Sequence, residues 1–142
     1  MKSISIQKIQ QLHGTVLIIL ALGLAFYSAV AEKTGWGPYG FLHEIPWGEV
    51  GLIQAYLLMA IIGFCIRTAS KSRDINKVWN IVGLLAHIPP LMAVVLYGYL
   101  FQEIGIGYIL LMSVAIHGTW ITLELLTLVF LKTPELLEYQ VS

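Results

Sequence analysis

Four uninterrupted apolar runs constrain this chain more than any other feature. They cover residues 12–31, 46–66, 78–101 and 107–131, and each is 20 to 25 residues long. At about 1.5 Å per residue, some 20 residues of helix cross the roughly 30 Å hydrocarbon core of a bilayer. Soluble domains are usually about 45–50% apolar and about 25% charged. Here 58% of residues are hydrophobic and only 11% charged, so the runs are expected to be membrane spans rather than core helices. The fold class this predicts is all-α, a single transmembrane domain over residues 1–142 in which four helices form an integral membrane bundle. No polar segment is long enough to build a separate soluble core.

Basic residues predict the orientation. With four spans, Lys2, Lys8, Arg67, Lys71, Arg73, Lys77 and Lys132 fall on one side and Lys33 alone on the other. Seven against one places both termini and the 68–77 loop in the cytoplasm, since positive residues are retained inside. The opposite side carries Glu32, Glu44, Glu49 and Glu103. This pattern suits a multi-pass protein of a prokaryotic cytoplasmic membrane. A competing reading exists at the N-terminus. Lys2 and Lys8, the apolar 16–26 stretch and Ala29-Val30-Ala31 before Glu32 resemble a secretory signal peptide, whose cleavage would leave three helices and remove His13. The stretch is read here as an uncleaved first span.

The connection between the first two spans is rich in glycine, proline and aromatics, with Trp36, Tyr39, Phe41 and Trp47 in or beside it. Such rings favour the membrane–water interface, so the loop is expected to lie flat as a lid. Pro46 suits the first turn of the second helix, and Glu49 the positive end of its dipole. The 133–142 tail, with Leu136, Leu137 and Tyr139, is expected along the inner interface. A short repeat, His13-Gly14-Thr15 and His117-Gly118-Thr119, is too brief to establish duplication.

Ionisable residues inside hydrocarbon are costly and mark function. His117 and Glu124 are seven residues apart, which sets them on one stripe of the fourth helix with Trp120 and Ile121 between them. His87 lies within the third run and His13 begins the first; His43 is a loop residue. Helical rise puts His13 roughly 2 Å, His87 roughly 12 Å and His117 roughly 21 Å from the cytoplasmic boundary. Imidazoles from facing helices can hold haem iron, and glycine after His13 and His117 would let a flat macrocycle approach the backbone. The depth gap of about 9 Å between His87 and His117 would then require tilt or a kink. Pro89 and Pro90 supply a source for one. Inside a helix they free the carbonyls of Leu85 and Ala86, making a polar pocket for a haem edge or quinone head group.

Plainer readings stand beside these. A buried histidine can simply bond across helices, worth about 0.6 kcal/mol. His13 at the interface reads first as a snorkelling group and second as a substitute ligand. Glu124 reads as a proton-relay or helix-pairing group, with His13 as a possible partner. Gly14, Gly23, Gly83 and Gly98 read as close-packing points. Cys65, the single cysteine, reads as a small buried hydrophobe.

Phosphate-cradling loops, zinc spacings and nucleophile signatures are not in the sequence, and the zero formal net charge offers nothing for nucleic acid. The layout resembles small membrane b-type cytochromes and the anchor subunits of quinone-linked oxidoreductases. That resemblance implies a haem b with His87 and His117 as axial ligands and His13 as substitute. It further implies Glu124 as the proton-handling group, and quinone-linked electron transfer. The alternatives are a non-catalytic accessory subunit of a larger respiratory or photosynthetic complex, or of a homo-oligomer, and a tetrapyrrole pigment binder using one histidine. A small channel or carrier ranks last.

Overall fold

A computed structural model describes residues 6–71 and 77–130. Each apolar run becomes one helix, because a chain without water at hand must satisfy its backbone groups internally. These are α1 (Ile6–Thr34), α2 (Pro46–Ala69), α3 (Val78–Glu103) and α4 (Gly107–Phe130), with a short 3₁₀ helix at Gly40–His43. All four long helices are apolar enough to cross a membrane. Most overrun the apolar stretch that nucleates them; α1 starts a turn and a half before Leu12 and places His13 two turns inside the helix. Arg73, Lys132 and the 133–142 tail lie outside the described residues.

Helix ends follow local chemistry. Gly35 takes φ +67° just past α1, and its N–H donates to Ala31 O at 2.8 Å. Gly105 takes φ +77° after α3, where Gly105 N–H donates to Gln102 O and Ile106 N–H to Phe101 O at 2.8 Å. That paired pattern around a left-handed glycine is a Schellman cap, and it turns the chain directly into α4. Pro46 occupies the first turn of α2, while Pro89 and Pro90 are absorbed inside α3.

Polar contacts fix the helix directions. Arg67 donates to Thr15 at 2.6 Å, and Ser28 to Glu49 at 3.0 Å, so α1 and α2 run antiparallel. Asn80 bonds Glu124 and His87 bonds His117, so α3 and α4 are antiparallel as well. Gln10 with Asn80 and His13 with His87 make α1 and α3 parallel. One end of the bundle therefore carries Lys8, Arg67, Lys71 and Lys77 (the basic end). The other carries Glu32, Glu44, Glu49 and Glu103 (the acidic end).

α1 and α2 cross with backbones touching. A Cβ on Gly14 would sit 2.5 Å from Gly63 O, and one on Gly63 would sit 2.8 Å from Gly14 O. Close approach through small residues is how helices associate where lipid removes the hydrophobic drive between them. Burial is inverted relative to a soluble protein. Gln10, His13, Asn80, His87 and Glu124 are fully enclosed, whereas Phe26, Val95, Leu111 and Val129 point outward. Apolar outside and polar inside is the sorting a bilayer imposes. Cys65 is half-buried.

Candidate functional site

The polar interior of the bundle's basic half is one connected cluster, built as a ladder between α3 and α4. On α3, Asn80, Gly83 and His87 share a stripe; on α4, Glu124, Trp120 and His117 share the facing one. Because the helices are antiparallel and both outer spacings are seven residues, the stripes meet rung by rung. Asn80 Nδ2 donates to Glu124 Oε2 at 2.6 Å, and His87 Nδ1 faces His117 Nδ1 at 2.9 Å. Gly83 and Trp120 form the middle rung, where the missing side chain leaves a slot.

His13 enters that slot from α1. Its ring lies parallel to the Trp120 indole, with centroids 4.2 Å apart and 9° between planes. On the other side a Cβ on Gly83 would come within 2.9 Å of His13 Cε1 and 3.0 Å of Glu124 Oε1. His13 Nδ1 pairs with Glu124 Oε1, and His13 Nε2 faces His87 Nε2 at 2.8 Å. The His13–His87 centroid separation of 5.0 Å is close to that N···N distance plus two ring radii. The rings therefore meet edge to edge in nearly one plane, 17° apart, along the axis of an N–H···N bond. Gln10 closes the other end, donating to Asn80 Oδ1 at 2.8 Å.

Each of the three gaps in the chain Glu124–His13–His87–His117 is short enough to hold one proton, and each ring nitrogen can act as donor or acceptor according to tautomer. With Glu124 as carboxylate, the protons sit on His13 Nδ1, His87 Nε2 and His117 Nδ1. His117 Nε2 is then the ring nitrogen left for a further partner. His117 and Trp120 are only half-buried, so the chain ends at the outer surface of the bundle.

Three sequence expectations are changed by this geometry. His13 is not a snorkelling interface residue; it is wholly buried, because α1 extends well before Leu12. The depth gap between His87 and His117 vanishes: with Asn80 level with Glu124, the fourth apolar run extends past the level where α3 begins, and the two ring nitrogens lie 2.9 Å apart. The glycines after His13 and His117 do different things: Gly14 seats α2, while a Cβ on Gly118 would meet open space. Glu124 does pair with His13. His43 lies apart, exposed and bonded to Glu32 O at 2.8 Å.

Sequence reasoning passed over Gln10, Asn80 and the slot at Gly83. The signal was present: Asn80 to His87 repeats the seven-residue spacing of His117 to Glu124, with a glycine on one stripe at the level of a tryptophan on the other.

In class, this is a polytopic helical membrane protein with an imidazole–carboxylate chain enclosed between three of its four helices. Comparison with protein-family models, curated proteins and solved structures found no match to the chain.

Proposed function

We propose that this protein is an intramembrane proton relay, a multi-pass subunit whose Glu124–His13–His87–His117 chain carries protons for a larger quinone-linked membrane complex. The observation that supports this most directly is the pair of head-on N···N contacts, 2.8 and 2.9 Å, ending on a buried carboxylate. A proton accepted at His117 Nε2 lets His117 Nδ1 pass its proton to His87 Nδ1. His87 Nε2 then passes one to His13 Nε2, and His13 Nδ1 passes one to Glu124. One proton enters and one arrives, with no side chain changing place. Asn80 and Gln10 hold the carboxylate in position, and Trp120 and Gly83 hold the His13 ring in line with both neighbours.

The half-buried His117 is the point where a lipid-soluble quinone or a partner subunit would exchange protons with the chain. The charge asymmetry of the loops supports a cytoplasmic basic end in a prokaryotic inner membrane, which sets the relay in the cytoplasmic half of the bilayer.

Infrared difference spectroscopy of the protein in liposomes tests the relay. After a step in pH, the Glu124 carboxyl band, assigned by its loss in Glu124→Gln, should appear rapidly in the wild type. In His87→Phe it should appear at least about tenfold more slowly, because the chain is cut. Equal rates would remove the proposal.

The second reading is haem b. It is favoured by one observation: His13 Nε2 and His87 Nε2 aim at each other, and their remaining ring nitrogens are held by Glu124 and His117, the support that ligating histidines need. A metal between two imidazole nitrogens requires about 4 Å. In the present arrangement the gap is shorter, and the centroid distances put Trp120 close to a right angle from the His13–His87 line, where a macrocycle would collide with it. Haem would thus need the two histidines to separate by about an ångström and Trp120 to swing aside. His87 paired with His117, the ligand set expected from sequence, meets a similarly short gap. A Soret band that disappears in His87→Ala and in His117→Ala or His13→Ala, with the protein still folded, would favour haem over the relay.

A further inference from the structure

The acidic half of the bundle contains a second buried ionisable group that the histidine chain does not use. Glu49, in the first turn of α2, is 7% exposed. Its Oε2 is buried with no hydrogen-bond partner among the described residues. Its Oε1 has a single donor among the described residues, and a shared one. Ser28 Oγ lies 3.0 Å away, but the same hydroxyl also faces Ala25 O at 3.1 Å and has a single proton to give.

Other polar groups at the acidic end have partners of their own. Lys33 pairs with Glu32 at 2.8 Å and is 81% exposed. His43 is committed to Glu32 O. Tyr56, two turns along α2 on the same stripe as Glu49, bonds Tyr39 through their hydroxyls at 2.9 Å. Tyr27 packs its ring against Trp36 and Tyr39. The dipole of α2 offsets part of the cost of a carboxylate there, but it supplies no ligand to Oε2. A buried charge left in that condition calls for a counter-charge.

We propose that Glu49 is the anchor of an exchangeable site for a small monovalent cation, a proton or a sodium ion, completed by the Ser28 hydroxyl. The donors are all hard oxygens, the class that suits such ions, and soft or nitrogen ligands are not among them. The site lies far along α1 from the histidine chain: Ser28 is fifteen residues from His13, roughly 22 Å of helix. It therefore stands or falls independently of the relay.

The test treats the full chain in liposomes with dicyclohexylcarbodiimide, an apolar reagent that modifies protonated carboxyls within membranes. Peptide mapping by mass spectrometry then reads Glu49 across a pH series, in sodium chloride or choline chloride. Modification at Glu49, lost in Glu49→Gln and falling about tenfold per pH unit on its alkaline limb, supports a proton as occupant. Protection by sodium and not by choline, weakened in Ser28→Ala, supports sodium. Failure of Glu49 to react at any pH would overturn the site, as would reaction at a rate indifferent to both pH and sodium.

Discussion

Trp120 and Gly83 stand opposite each other across the α3–α4 interface, one the largest residue of its stripe and the other without a side chain. The histidine that joins the two helices to α1 occupies the space between them. The size difference between these two positions is what lets a third helix reach a ladder formed by the other two. Everything proposed for the cluster depends on that slot remaining open on one side and flat on the other.

Gly83→Ala should close it. The new methyl would lie within 3.0 Å of His13 Nδ1 and Glu124 Oε1, atoms already bonded to each other and unable to retreat. Overpacking of this kind costs about 1–3 kcal/mol. Thermal unfolding in detergent should show the loss. Gly118→Ala, whose methyl meets nothing within 4 Å, should leave the midpoint unchanged or raise it.

Gly14→Ala and Gly63→Ala are expected to separate α1 from α2, because each methyl would meet the other residue's carbonyl oxygen below 3.0 Å. Backbone cannot swing away as a side chain can, so both substitutions should destabilise, again by about 1–3 kcal/mol. Gly23→Ala on the same helix has open space and serves as the control. An unfolding midpoint for Gly14→Ala equal to that of Gly23→Ala would contradict the crossing described here.

Asn80→Ala removes the amide that donates to Glu124 and accepts from Gln10. Glu124 Oε2 loses a donor and Gln10 Nε2 an acceptor, and a buried group thereby left unsatisfied costs about 1–3 kcal/mol. Asn80→Asp should be worse than Asn80→Ala near neutral pH, since it sets a second carboxylate where Glu124 now receives an N–H. Comparing the two variants by thermal unfolding checks the order.

His87→Ala is predicted to uncouple the remaining histidines. In protein labelled with ¹⁵N-histidine, the wild type should show scalar coupling across the His13–His87 and His87–His117 hydrogen bonds, and the variant should show neither. The wild type lacking both couplings would mean that the rings do not meet nitrogen to nitrogen.

Much of the fold was readable from the chain because its causes are local. A run of about 20 apolar residues must become a helix in hydrocarbon whatever surrounds it. The same holds for Pro46 at a helix start, and for Pro89 and Pro90, whose run is too short to cross if broken. The partnership of Glu124 with His13 was also within reach, since a carboxylate in a span needs a polar neighbour and few were on offer.

What sequence alone determined is which runs become helices apolar enough to cross a membrane, and that His87, His117 and Glu124, set inside those runs, need protein around them. Which nitrogen meets which was decided only by the tertiary structure, because it depends on helix direction, rotation and relative height, none of which a single span records. Depth counted separately along each helix set His87 and His117 about 9 Å apart. Packing places their ring nitrogens 2.9 Å apart, because antiparallel stripes with matching seven-residue spacings align rung by rung and a glycine opposite a tryptophan admits the third helix.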